Sequence, residues 1–560
     1  MTSLRRWQNR IPSIEWISLI ALFLLAGSIG HDPWKLHEPY VFGIIYHFFT
    51  THSWVIPVNA GVPFMEKPPL YHWTAALFCH LLGGILPLHD AARMASVFYT
   101  VLTALFMWKT SQVLFATRSE CKSLGYISIA LLLGQIGIAN DIHLMRTDVS
   151  LLTGTTMTLY GMAMLGHMQE NWGKAGIWMG LGFGVSFMSK GLFIPITLIL
   201  GGIMLWHILP MLRTQNTRRA LRIAFWVALP FVTLWPALVW LDSPALFIEW
   251  FWDNNVGRFL GFSVARLGSA NDRHSLLFSL LKNSFPALPL VCQIIIVEKW
   301  RNRTMEYMLP LCIMTSGLLL LILSATGNGC YFLPLLPTFA LLAAPVMLRL
   351  PEQFLIYWNF WIRILTSMTA AVIWLIWWNL RYPPEAKIFK LWMHYAGNWL
   401  PLDFAPPEQT FACLAALCAA LFWLASFRLS PRSALNTAYI WLSSISLLWV
   451  TMALMFPWQN AKISYRSALM EMVGVVRQFP GEHNCVQAGN YDEIVSPMFY
   501  YIAEPLLPPR KNGEACPFLF LSSTGAIPKD VELHWHMIWT GARYNKEDEI
   551  RLYQINQPVL

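Results

Sequence analysis

Runs of about twenty apolar residues, the length a helix needs to cross the hydrocarbon core of a bilayer, recur from Ile14 to Trp458 and leave this chain few ways to fold. A backbone in lipid must satisfy its own N–H and C=O groups, so each run reads as a helix packed in a bundle. Composition agrees, because 56% of the 560 residues are hydrophobic and only 12% are charged. A soluble domain carries about twice that charged fraction. From about Asn460 the pattern changes to mixed polar sequence with short β-like runs such as Phe518–Leu521. The expected organisation is an all-α polytopic membrane domain over residues 1–458, followed by a small soluble α/β domain over residues 459–560.

The net charge of +9 does not point to nucleic acid, because the basic residues sit in short loops between apolar runs rather than on one face. Such loops mark the cytoplasmic side of a membrane. Four stand out, Arg118–Lys122, Arg213–Arg222, Lys299–Arg303 and Arg428–Arg432, with Arg5, Arg6 and Arg10 as a fifth cluster. All five share a side if Leu70–Leu88, with His72, Trp73 and His80, lies at the interface rather than spanning. About 13 spans then remain, the first being a retained segment over Ile14–Gly30. An odd count puts the C-terminal domain in the periplasm, together with loops Gly30–Pro69, Asp141–Asp148, Asp242–His274, Gly327–Gly329 and Leu380–Gln409. Most cysteines lie in or beside apolar runs as small buried hydrophobes. Cys485 and Cys516 lie in the tail, where an oxidising compartment permits a disulfide between them.

The first outer loop holds charged and aromatic residues together, which a mere tether does not need. Asp148, after Arg146, stands where a carboxylate near a membrane interface serves either as a functional group or as the N-cap of the following helix. Lys190-Gly191, taken alone, suits a lysine reaching toward the interface better than a functional one.

These stretches together resemble a known family. Glu38-Pro39-Tyr40, Trp54-Val55-Ile56-Pro57 and Phe64-Met65-Glu66-Lys67-Pro68-Pro69-Leu70-Tyr71 are similar to the first outer loop of the aminoarabinose transferase and protein mannosyltransferase-like membrane glycosyltransferases, whose fold is called GT-C. Leu144–Asp148 resembles that family's second acidic loop, and Met188-Ser189-Lys190-Gly191 its Thr-Lys-Gly element. Phe251–Phe259 resembles its Phe-Trp…Arg-Phe loop, and Ser324–Pro337 with Tyr331 its Tyr-Leu-Leu-Pro segment. The likeness runs in order over residues 10–350. It implies an inverting glycosyltransferase of the inner membrane that moves a sugar from a polyprenyl-phosphate donor to a periplasmic acceptor: lipid A, another envelope glycolipid, a glycan or a protein. A binding protein of the same fold without turnover, or a transporter, are the alternatives.

The implied residues are Lys67, Arg146, Lys190, Arg258 and Tyr331 around the lipid phosphate, and Glu38, His37 and Asp148 as catalytic groups. His37 replaces the family's usual Asp and is a base in kind near neutral pH. The resemblance also implies a divalent metal at Glu66 and Asn255, although Asn255 replaces a histidine and its hard oxygen suits zinc poorly. Tyr40 and Gly329 stand where relatives carry Arg and Lys. If the acceptor is itself a phosphate, it arrives ionised and a base matters less.

Overall fold

The computed structural model describes residues 13–34, 38–268, 270–297, 303–382, 404–479, 485–489, 495–501, 506–507, 516–522, 535–543 and 549–555. Among these, six helices are long and apolar enough to cross a membrane: Leu88–Leu114, Gln215–Asp242, Met305–Leu323, Gly329–Met347, Glu352–Arg381 and Ala434–Ile463. Ser13–Ala26, Cys121–Leu133, Phe193–Ile208 and Thr410–Ser426 are shorter apolar helices. The chain is a multi-pass membrane protein of mostly helical architecture.

The expected spans are not all straight rods. One apolar stretch of span length is two helices, Arg273–Asn283 and Ala287–Ile294, that meet at 96°. Pro286 lies in the break, where it has no N–H to carry the helical ladder onward. Leu70–Leu82, expected at the interface, has 13 residues. At 1.5 Å per residue it reaches about 20 Å, too short to span. Arg118 bonds Glu306 at 2.6 Å, which puts the Arg118–Lys122 loop and the start of helix Met305–Leu323 at the same end of the bundle.

Small residues set the closest helix contacts. Gly154 of helix Thr147–His167 lies so near Gly182 of helix Trp172–Lys190 that an added Cβ would stand 2.7 Å from the Gly182 carbonyl oxygen. On another face of Trp172–Lys190, added Cβ atoms at Gly176 and Gly180 would stand 2.5 and 2.6 Å from the Ala220 and Ala224 carbonyl oxygens of Gln215–Asp242. Spacing of small residues at every fourth position lets backbones touch where lipid supplies no hydrophobic drive. The three helices are thereby locked in register, which fixes Asp148 at the start of one beside Lys190 at the end of the next.

The C-terminal sheet has strands β1 (Val486–Ala488), β2 (Leu506–Leu507), β3 (Phe518–Ser522), β4 (Trp535–Ala542) and β5 (Glu549–Ile555), in the order β2-β1-β3-β5-β4. β1 runs parallel to β2 and β3, while β5 pairs antiparallel with β3 and β4. Helix Arg466–Val476 covers the sheet through Leu469 and Met472, and Cys485 and Cys516 form the disulfide. This unit sits on the outer-loop helix Glu38–Thr51, where the rings of Tyr500 and Tyr46 stack at 4.8 Å.

Candidate functional site

A cavity of about 520 Å³ opens at the end of the bundle where the first outer loop, the start of Thr147–His167, the Asn254–Leu260 stretch and Asn328–Tyr331 meet. Tyr40, Glu66, Lys67, Arg146, Asp148, Lys190, Asn255, Arg258 and Tyr331 all line it. Four of the loops expected on the outer side, Gly30–Pro69, Asp141–Asp148, Asp242–His274 and Gly327–Gly329, thus contribute to one cavity.

Each cation is held by a partner. Lys190 Nζ lies 2.5 Å from Asp148 Oδ1 and sits 4.3 Å above the centre of the Tyr331 ring. Gly191, at φ 86°, lets the chain turn sharply just behind Lys190, a conformation that favours glycine. The lysine is thus a buried, paired charge rather than one reaching for the interface. Asp148 does not cap its helix: the N-cap position is Arg146, and no side chain caps there. Arg146 Nη1 pairs with Asp141 Oδ1 at 2.6 Å, Arg258 Nη2 donates to Glu66 Oε1 at 2.7 Å, and Lys67 Nζ donates to the Tyr40 hydroxyl at 2.8 Å. Burial works against the charge on Glu66, yet Lys67 and Arg258 hold its carboxyl below the ordinary carboxylate value. Burial likewise opposes the Lys67 charge, and the Tyr40 oxygen and Glu66 overcome it, raising the ammonium above an ordinary lysine.

Four basic side chains face Glu66 and Asp148 in the lining. With Asp141 behind Arg146 counted, the described residues of this cluster keep an excess of one positive charge. Hydrogen-bonding capacity is also left over: Arg146 Nε, Arg258 Nε and Thr147 Oγ1 are buried without a partner among the described residues. Unsatisfied buried donors are costly, and beside surplus positive charge they form a receptor for one anion.

Glu38, expected to be catalytic, does not line the cavity. It is 1% exposed, and its carboxylate takes hydrogen bonds from Arg93 Nε at 2.8 Å, Met145 N at 3.0 Å and Trp34 N at 3.0 Å. Burial opposes its ionisation, but Arg93 and His31 hold the carboxyl below the usual range. A carboxylate so fully engaged is a poor proton acceptor, and its bonds tie the Glu38 turn to Met145, the residue before Arg146. Arg93 completes the knot with Asp90 Oδ1 at 2.6 Å and the Asp32 carbonyl at 2.9 Å. Asp90 and Arg93 were missed as functional candidates, although charges three apart at the start of an apolar helix were a readable signal. His37 lies outside the described residues.

Glu66 and Asn255, the residues expected to hold a metal, both line the cavity, and each is engaged by other groups. Asn255 Oδ1 accepts from Leu192 N at 3.3 Å and its Nδ2 donates to the Trp250 carbonyl at 2.8 Å, so the amide is committed to the backbone. Glu66 stands between Lys67 and Arg258, where the local charge favours an anion. No group of three or more His, Cys, Asp or Glu with metal-binding geometry occurs among the described residues. His72, behind Lys67, is 1% exposed with neither ring nitrogen partnered among the described residues. Burial, then Lys67, push its imidazole down to about 3.

Residues 66–240 match the family model described as dolichyl-phosphate-mannose-protein mannosyltransferase. The crystal structure of ArnT from Cupriavidus metallidurans bound to undecaprenyl phosphate superposes with a TM-score of 0.68 over 96% of this chain and 97% of that one, at 13% identity. The chain has the GT-C fold of ArnT. The apo form of the same ArnT superposes with a TM-score of 0.66 at 15% identity, covering 97% of this chain and 98% of that one. In sequence the chain resembles the undecaprenyl phosphate-alpha-4-amino-4-deoxy-L-arabinose arabinosyl transferases. It is 25% identical over 342 residues to that of Sodalis glossinidius, 59% of this chain and 58% of that protein. It is 26% identical to that of Pseudomonas savastanoi over 43% of this chain and 45% of that protein. The matched region thus spans about half the length of these curated relatives.

Proposed function

We propose that the chain is an inverting glycosyltransferase of the inner membrane that takes a sugar from a polyprenyl-phosphate donor and passes it to an acceptor in the periplasm. The observation that carries this reading is the cation-rich cavity with one surplus positive charge and orphaned guanidinium N–H groups. A phosphodiester in the donor has one negative charge and acceptor oxygens for those groups. A second feature supports the polyprenyl part. Phe193 and Ile196 line the charged cavity, and Ile199, Ile203 and Trp206 on the same helix line an apolar cleft of about 630 Å³ beneath it. Such a cleft suits an isoprenoid chain whose phosphate sits above.

In the transfer, an acceptor oxygen bonds to the anomeric carbon while the bond from that carbon to the phosphate oxygen breaks, so polyprenyl phosphate leaves with an additional negative charge. Lys67, Arg146, Lys190 and Arg258 are placed to stabilise that developing charge, which is where fixed electrostatics accelerate a reaction. Asp148 keeps Lys190 ionised and aimed. Since both lining carboxylates are engaged by cations, an acceptor that arrives already ionised, such as a phosphate of lipid A, fits this site better than a neutral hydroxyl. The same engagement is what favours the alternative of donor binding without transfer.

The test is reconstitution of the purified full chain with undecaprenyl-phosphate aminoarabinose and lipid A, with products followed by mass spectrometry. Modified lipid A and released undecaprenyl phosphate are expected. Retention of the donor without product supports binding alone, and neither binding nor product overturns the reading.

A further inference from the structure

Far from this cavity, the helix Glu352–Arg381 turns a stripe containing Ile356, Phe360, Ile364 and Met368 outward, and with Phe427 and Pro431 it walls a groove of about 560 Å³. Phe360 and Met368 are 54% and 63% exposed, as expected of side chains that face lipid tails. One charge lies in this apolar wall. Arg363 Nη2 donates to the carbonyls of Ser426 at 2.8 Å and Leu429 at 3.2 Å, which end the Thr410–Ser426 helix and begin the turn after it. Its guanidinium stands 4.9 Å over the Phe427 ring, and its Nε has no partner among the described residues.

The carbonyls and the ring fix the plane of the guanidinium but carry no full negative charge. Among the described residues, no carboxylate lines the groove. Glu352, the acid nearest along the helix, pairs at 3.1 Å with Arg432 instead. Arg428, on the same turn as Phe427, is exposed. Asn359 Nδ2 donates to Pro431 O at 2.9 Å, so this part of the helix lies level with the connecting turn, at the edge of the bilayer rather than its centre. An unneutralised cation at a lipid-facing surface is costly unless an anion meets it. Basic pockets between membrane helices recruit anionic lipid headgroups.

We propose that this groove is a binding site for one anionic phospholipid: its phosphate meets the Arg363 guanidinium and Arg428, and one acyl chain lies along Phe360, Ile364 and Met368. The site is on the end of the bundle bearing the Arg428–Arg432 loop and does not depend on the transferase reading.

Native mass spectrometry of the full chain in detergent, with phosphatidylglycerol or phosphatidylethanolamine of identical acyl chains, tests it. The wild type is expected to retain one phosphatidylglycerol in preference to phosphatidylethanolamine. Arg363→Met is expected to weaken that retention about fivefold, the effect of one basic residue near an anionic headgroup. Phe360→Ala, which removes part of the acyl-chain wall and none of the bonds that hold Arg363, is expected to reduce retention of the lipid as well and serves if Arg363→Met fails to fold. Equal retention of both lipids by the wild type, unchanged phosphatidylglycerol retention in the folded variants, or capture of inorganic phosphate with no lipid preference would each overturn the proposal.

Discussion

Replacing Arg93 with methionine keeps most of the side-chain volume and removes the charge from the most buried ion cluster described here. Arg93 is 0% exposed, while Glu38 and Asp90 are 1% and 2% exposed on the side chain. Without the guanidinium, two carboxylates remain in a site closed to water, and the Asp32 carbonyl loses its donor. Breaking a buried pair by removing one partner costs about 3–5 kcal/mol. Glu38→Gln is milder: an amide keeps the shape and one acceptor but cannot receive all three donors, a loss of about 1–3 kcal/mol. The double variant should be less destabilised than the sum of the two, because it leaves fewer unpaired charges than Arg93→Met alone. The assay is reversible unfolding of the full chain in mixed micelles, read by tryptophan fluorescence. Arg93→Met unfolding within about 1 kcal/mol of wild type would refute the buried network, since that is the range of exposed ion pairs. A second readout separates positioning from catalysis. Glu38→Gln should weaken undecaprenyl phosphate binding, because it loosens Met145 beside Arg146, although Glu38 touches no ligand-facing surface.

Lys67→Met or Arg258→Met is expected to weaken undecaprenyl phosphate binding about 10- to 100-fold, the value of a charge-assisted hydrogen bond, as measured by native mass spectrometry. Arg258→Met should also leave Glu66 facing the anion, so adding Glu66→Gln should restore part of the loss. His72 is neutral in the fold with its imidazole at about 3, against about 6.5 unfolded. Its stabilising contribution is present above pH 6.5 and fades as pH falls toward 3, so by pH 5 wild type should have lost about 2 kcal/mol that His72→Phe keeps. Unfolding curves at pH 7.5 and 5 check this, the other buried histidines being common to both proteins. The Cys485–Cys516 disulfide closes a separation of 31 residues. Its removal by Cys485→Ser with Cys516→Ser should destabilise the C-terminal sheet by about 3–4 kcal/mol, visible as faster proteolysis of the tail in the intact protein.

Much of the cavity was legible because it is written in local stretches. Lys67, Arg146, Asp148, Lys190, Arg258 and Tyr331 each stand in a short motif at a helix end, and charge placement in the basic loops put those ends on one side. Helix ends were harder. The Pro286 break is averaged away by hydropathy, whereas the interfacial place of the Leu70–Leu82 helix was readable from the charge of the loops around it.

Sequence by itself determined that the chain enters a membrane many times, that its tail is a separate β-containing unit, and which cations could meet an anion. Those are properties of composition and spacing, which survive without knowledge of neighbours. Tertiary structure alone decided what each charge does. Glu38 reads as a catalytic group in the sequence, whereas in the fold its carboxylate is bonded to Arg93, 55 positions away, and does not line the cavity. Asp148 had two readings until Lys190, 42 positions away, took its carboxylate. The physical reason is that a carboxylate's role depends on its solvent access and its nearest opposite charge, and both are set by residues far along the chain.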